Sequence, residues 1–182
     1  MKMKVSKSNM RIEVDPKLDG IEFVNISTKG KTLLGRKLSH FVNIPFEHPK
    51  HGKFSSMEGF WYYIQLDSVS DTAKEELRRL HGYAAKSLGR QLLEKYKYSM
   101  FKMDGFRKEI YVANKLKIIQ NKEILDLVLS NDLPYKLFYL DEYNNTRTTY
   151  SVSWLIKDFT HIQRELKEEY KIFNRRRQKY LN

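Results

Sequence analysis

The sequence predicts a single, mainly α domain with small β pieces. From Phe54 onward, apolar residues recur at helical spacing in successive stretches, and cap and breaker residues separate those stretches. Strand formers cluster only near the N-terminus and before the last helix. The 182 residues suit one domain. A chain of this size can bury about 70% of its unfolded surface, enough for a core without covalent staples.

The elements follow in order. Arg11 to Val14 alternates, Asp15 to Gly20 supplies turn residues, and Ile21 to Ile26 is rich in strand formers, so a hairpin is expected there. Thr28-Lys29-Gly30-Lys31-Thr32 has the look of a phosphate loop, but Asn25 stands where that motif needs its first Gly. Ser55 and Glu58 have capping-box spacing and open a helix through Phe60, Trp61, Tyr62, Tyr63, Ile64 and Leu66. Its apolar residues surround the axis, which predicts a buried helix. Ser70 caps a charged helix ending at His81-Gly82. Tyr83 to Tyr96 forms another, with Ala85, Leu88, Leu92 and Tyr96 on one face. Asp104 caps a helix through Phe106, Ile110, Ala113, Leu116 and Ile119, and Asn121 starts a short one that Leu133-Pro134 ends. A hairpin is expected from Tyr135 to Val152 around Asn144-Asn145. Ser153 then caps a last helix using Leu155, Phe159, Ile162, Leu166 and Phe173. Residues 1–9 form a basic start and 174–182 a basic tail, so the domain is expected to span 1–182.

Composition narrows the chemistry. The chain has no Cys, so disulfides, thiolate zinc sites, iron–sulfur clusters and a Cys nucleophile are all excluded. No apolar run approaches the roughly 20 residues of a membrane span, and a cytoplasmic protein without a membrane partner is expected. The net charge of +12 invites a polyanion, because a basic surface attracts phosphates. It is equally met in small basic proteins with no nucleic-acid role.

Four groups of residues could carry chemistry. His48 and His51 have HxxH spacing, but Pro49 and Gly52 place them in a loop and sequence supplies no third ligand, so no metal site is expected. Glu58 is either a capping carboxylate or an acid–base group in the first turn of an aromatic helix. Gly82, Lys86 and Arg90 are spaced by four and share a helix face, either a solvated one or one that offers a phosphate clamp and an amine nucleophile. Arg107 has the same two readings, and the run Arg175 to Lys179 is either a nucleic-acid track or a solvated helix end.

Several segments together resemble the NADAR superfamily of YbiA-like proteins. Arg36-Lys37-Leu38-Ser39-His40-Phe41 is similar to its LSNF segment, Phe54-Ser55-Ser56-Met57-Glu58-Gly59-Phe60 to its helix start, and Gly82 through Arg90 to its AKxxGR segment. Phe106-Arg107 through Ala113, Lys117, Gln120-Asn121 and Leu133-Pro134 follow in the family's order, so the resemblance covers about Arg36 to Leu166. His40 stands where the family commonly has Asn, and Gln65 where many members have Lys or Arg.

The resemblance implies a compact helical domain that cleaves N-glycosidic bonds on ribose-containing substrates. One branch removes ADP-ribose from guanine bases in nucleic acid and reverses DarT-type toxins, with phage-encoded members acting against host defence. The basic charge suits that branch, with ADP-ribosylated DNA as the expected partner and RNA or a free nucleotide as alternatives. A monomer without cofactor is expected. Within this reading Glu58 performs acid–base work and Lys86 attacks the anomeric carbon. Arg36, Arg90 and Arg107 clamp the pyrophosphate, Trp61 or Phe54 stacks a base, and Ser39 contributes to the substrate site. The rival is a non-enzymatic nucleic-acid-binding protein built on basic charge and aromatic stacking.

Overall fold

In the computed structural model, residues 14–97, 105–140, 147–149 and 153–179 are described. The expected N-terminal hairpin does not form among them. Pro16–Leu18 is a 3-10 turn capped by the Asp15 side chain. Only Val24–Asn25 is strand (β1), and it pairs in parallel with Tyr135–Lys136 (β4), far along the chain. Buried Asp19 explains this arrangement. Its carboxylate accepts the N–H groups of Asn25 and Lys31 at 2.9 and 2.7 Å, which turns the segment away from a local partner. Asn25 Oδ1 then accepts the Phe138 N–H at 3.1 Å and ties the two ends together. Arg11 to Glu13 lie outside the described residues.

A short helix, Leu33–Leu38 (α1), follows, with the Thr32 hydroxyl accepting the Gly35 N–H. Phe46–His48 (β2) and Gly52–Phe54 (β3) make an antiparallel hairpin in register Phe46↔Phe54 and His48↔Gly52. Next comes Met57–Gln65 (α2), buried along its whole length as its apolar sequence predicts. Its cap is Ser56 rather than Ser55. The Ser56 hydroxyl accepts the Gly59 N–H, while the Ser55 N–H donates to the Arg78 carbonyl. Glu58 therefore closes no capping box.

Thr72–Glu76 (α3) is capped by Asp71, not Ser70, because the Asp71 carboxylate takes the Ala73 N–H. Gly82–Tyr96 (α4), Phe106–Ile119 (α5) and Lys122–Ser130 (α6) match the predicted helices; Gly105 stands at the cap of α5, and Asp104 lies outside the described residues. Phe138–Leu140 (β5) pairs antiparallel with Arg147–Thr149 (β6), as part of the predicted hairpin before the last helix; its Asn144-Asn145 turn lies outside the described residues. That helix, Ser153–Lys179 (α7), turns Leu155, Phe159, Ile162 and Leu166 inward but leaves Phe173 exposed. The helical backbone runs on through residues 174–179, so the basic run Arg175 to Lys179 is part of the helix end.

Helix α2 lies at the centre, against α4 on one side and α5 on another. Two glycines permit this closeness. A Cβ on Gly89 would lie 2.1 Å from Tyr62 Cγ, and one on Gly59 would lie 2.1 Å from the Leu77 carbonyl oxygen. Among the described residues, no helix is long and apolar enough to cross a membrane.

Candidate active site

Helical spacing puts Glu58, Trp61, Tyr62 and Gln65 on one face of α2. Glu58, Trp61 and Tyr62 line a cleft of about 320 Å³, within the usual range for small-ligand sites. Lys86 and Arg90 enter it from α4, one helical turn apart. Ser39, His40 and Phe41 enter from the turn after α1, and Ile26, Leu137 and Leu155 supply apolar wall. The Glu58 N–H donates to the His40 carbonyl at 2.9 Å and locks that turn to the start of α2.

Glu58 is the unusual group here. It is 9% exposed, and its pKa is raised from 4.5 to about 7. Burial is the main cause, because a desolvated carboxylate is costly; Lys86 and then Arg90 pull the other way without cancelling it. Near neutral pH the carboxyl can therefore either give or take a proton. The Lys86 ammonium sits 5.3 Å above the Phe41 ring, which holds it at the cleft wall. Tyr62 also lines the cleft; burial and then the Glu58 charge raise its pKa, while Arg90 lowers it.

Beneath the cleft is a polar layer that sequence reading did not assign to the site. His40 Nε2 lies 3.1 Å from Asn114 Oδ1, and desolvation, then the Lys117 charge, drives its pKa down to about 3. The residue keeps partial exposure toward the cleft, yet the ring is neutral near pH 7. Lys117 is fully buried, its pKa lowered to about 7 by burial, and its ammonium donates to the Ser39 carbonyl at 2.8 Å. The signal was present in a lysine and an asparagine, Lys117 and Asn114, on the apolar side of α5, where neither belongs without a polar task.

The remaining predicted site residues fall elsewhere. Phe54 is 1% exposed and packed against Phe46, Phe60 and Tyr63, so no base can reach its face. Arg36 turns away from the cleft and donates to the Gly30 and Lys31 carbonyls at 2.9 and 2.7 Å. Arg107 pairs with buried Asp158 at 2.6 Å and lies over the Trp154 ring, outside the cleft lining. Trp61 does line the cleft, but its ring already stacks on Trp154 with centroids 5.9 Å apart, and Phe106 meets it edge-on. The structure thus brings together Glu58, Lys86, Arg90, Trp61 and Ser39, and leaves out Phe54, Arg36 and Arg107. It also sets Glu109 beside His48 and His51, supplying the third group that the HxxH pair lacked in sequence.

No protein-family model matches the chain, and no curated protein matches it in sequence. Among solved structures, the NMR structure of Escherichia coli YbiA superposes with a TM-score of 0.51, covering 88% of this chain and 95% of that one at 17% identity. A likeness at that identity is one of fold, and in fold this chain is YbiA-like.

Proposed function

We propose that this cleft cleaves an N-glycosidic bond, removing ADP-ribose from guanine bases of DNA and so countering a DarT-type toxin, as a phage anti-defence factor would. The observation that carries the reading is Glu58, a buried carboxyl poised near pH 7 within reach of the fields of two cations. Glycosidic cleavage needs a proton for the leaving base and a partner for the electron-poor anomeric carbon. Protonated Glu58 supplies the first. Lys86 supplies the second: its ammonium first gives a proton to solvent in the open cleft, and the free amine bonds the anomeric carbon as the bond to the base breaks. The new nitrogen then passes a proton to the ring oxygen, and the sugar opens to a protonated Schiff base. Water then adds to that carbon, releases the amine and frees ADP-ribose. Arg90 faces the pyrophosphate, and the +12 net charge draws the chain to a polyanion.

The experiment is incubation with oligonucleotides carrying ADP-ribose on guanine or on thymine, followed by mass analysis. The expected result is loss of ADP-ribose from guanine, with Glu58→Gln slowing it by about 10²–10⁴-fold. Tight binding with every base–ribose bond intact would instead make the chain a binding protein.

A further inference from the structure

On the opposite side of α2 from the cleft lies a second cluster with no part in the reaction above. His48 ends β2, His51 sits in the following turn, and Glu109 projects from the first turn of α5. Both imidazoles are buried, with side chains 4% and 5% exposed, and neither Nε2 atom makes a hydrogen bond. Instead both Nε2 atoms converge on one oxygen of Glu109, at 3.3 and 3.6 Å. A tetrahedral ion with bonds of about 2.0–2.1 Å has ligand edges of about 3.4 Å, and these two edges match that spacing.

The geometry points to a binding site for a divalent transition cation of the zinc type, held by His48 Nε2, His51 Nε2 and Glu109. Two imidazoles and a carboxylate suit such an ion. The set is also fixed in place before any ion arrives. Gln120, at the end of α5, bonds the Glu47 backbone in both directions, at 2.7 and 2.8 Å, which clamps β2 to the helix that carries Glu109. Arg78 donates to the His51 carbonyl, and Phe60 packs against both rings. The Glu109 side chain is 29% exposed and gives the entry path. Lys50 and Arg78 lie close enough to oppose the cation, and Asp67 favours it. One bond must be given up. The Lys50 N–H donates to His48 Nδ1 at 3.3 Å, so metal on Nε2 moves the ring proton to Nδ1 and opens that long contact.

The test is titration of the metal-stripped full chain with zinc alone, followed by calorimetry and by ¹⁵N spectra of the histidine rings. The chain has five histidines and no cysteine, so the assignment is tractable. One equivalent should saturate the chain and shift the His48 and His51 rings, with His48 changing from the Nε2–H to the Nδ1–H form. His40, His81 and His161 should stay put, the last serving as control because it also faces a carboxylate, Glu165, at 3.1 Å. Glu109→Gln and His51→Gln should each abolish the saturable isotherm. Should either variant not fold, the wild-type ring spectra decide alone. Absence of saturable binding, shifts confined to other histidines, or binding retained in both folded variants overturns the site.

Discussion

The two faces of helix α2 bury ionisable groups in opposite chemical senses. On the cleft face, burial pushes Glu58 up to about 7. On the far face, burial pulls His48 and His51 below the ordinary imidazole value, with the His51 charge adding for the first and the Lys50 charge for the second. One cause gives both results, because removing water penalises the charged form whatever its sign. What differs is the company each group keeps. Glu58 shares an open cleft with Lys86 and Arg90 and so sits ready to exchange a proton. The imidazoles share a closed corner with one carboxylate and so are set to share a ligand.

Variants that touch one face and spare the other sharpen this contrast. The largest expected effect is on Lys86. Lys86→Arg keeps a cation in the cleft but cannot form a Schiff base, so hydrolysis and borohydride trapping of the adduct should vanish together while binding persists. Near-normal hydrolysis by Lys86→Arg, or an adduct mapped to another lysine, removes the covalent role and leaves Glu58 to activate water.

Next is the pH dependence of stability. Glu58 holds its proton more tightly folded than unfolded, so its contribution is complete below about pH 4.5 and is lost as the pH rises through about 7. The loss approaches about 3 kcal/mol, from the spread between those two values. Glu58→Gln titrates nowhere in this range, so denaturant melts should show it gaining on the wild type between pH 5 and 8. Parallel curves would mean that Glu58 is not desolvated.

Gly89→Ala comes third. Its Cβ would collide with the Tyr62 ring, which forces α2 and α4 apart at about 1–3 kcal/mol. Thermal melts should record that loss. Zinc binding should be untouched, because that corner packs on Phe60, on the other side of α2 from α4. A variant as stable as wild type would show the α2–α4 contact to be looser than described.

Much of this was legible in the sequence where the information is local. Helices α2, α4, α5 and α6 follow from apolar spacing, Lys86 and Arg90 from a one-turn repeat on α4, and Glu58 from its place in the first turn of α2. Caps slipped by one residue, because Ser55-Ser56 and Ser70-Asp71 each offer two acceptors and tertiary bonds select between them. Helix α1 and the strands β2 and β3 are too short for periodicity to reveal. Phe54 was misplaced because an aromatic beside a motif looks like a stacking platform until β3 turns it inward. Distance along the chain hid the rest. Lys117 reaches Ser39 across 78 residues, and Glu109 meets a histidine pair that reads as a loop. No local pattern encodes either pairing.

The poised carboxyl is the claim on which the proposed chemistry stands, and it can be read without a substrate. Titration of the side-chain carboxyl carbons by NMR, with Glu58 assigned by the signal lost in Glu58→Gln, gives its pKa directly. The account predicts a midpoint near 7, rising further in Lys86→Met because the opposing ammonium is gone. A midpoint near 4.5, the same in both proteins, would contradict it and make Glu58 an ordinary carboxylate at the start of a helix.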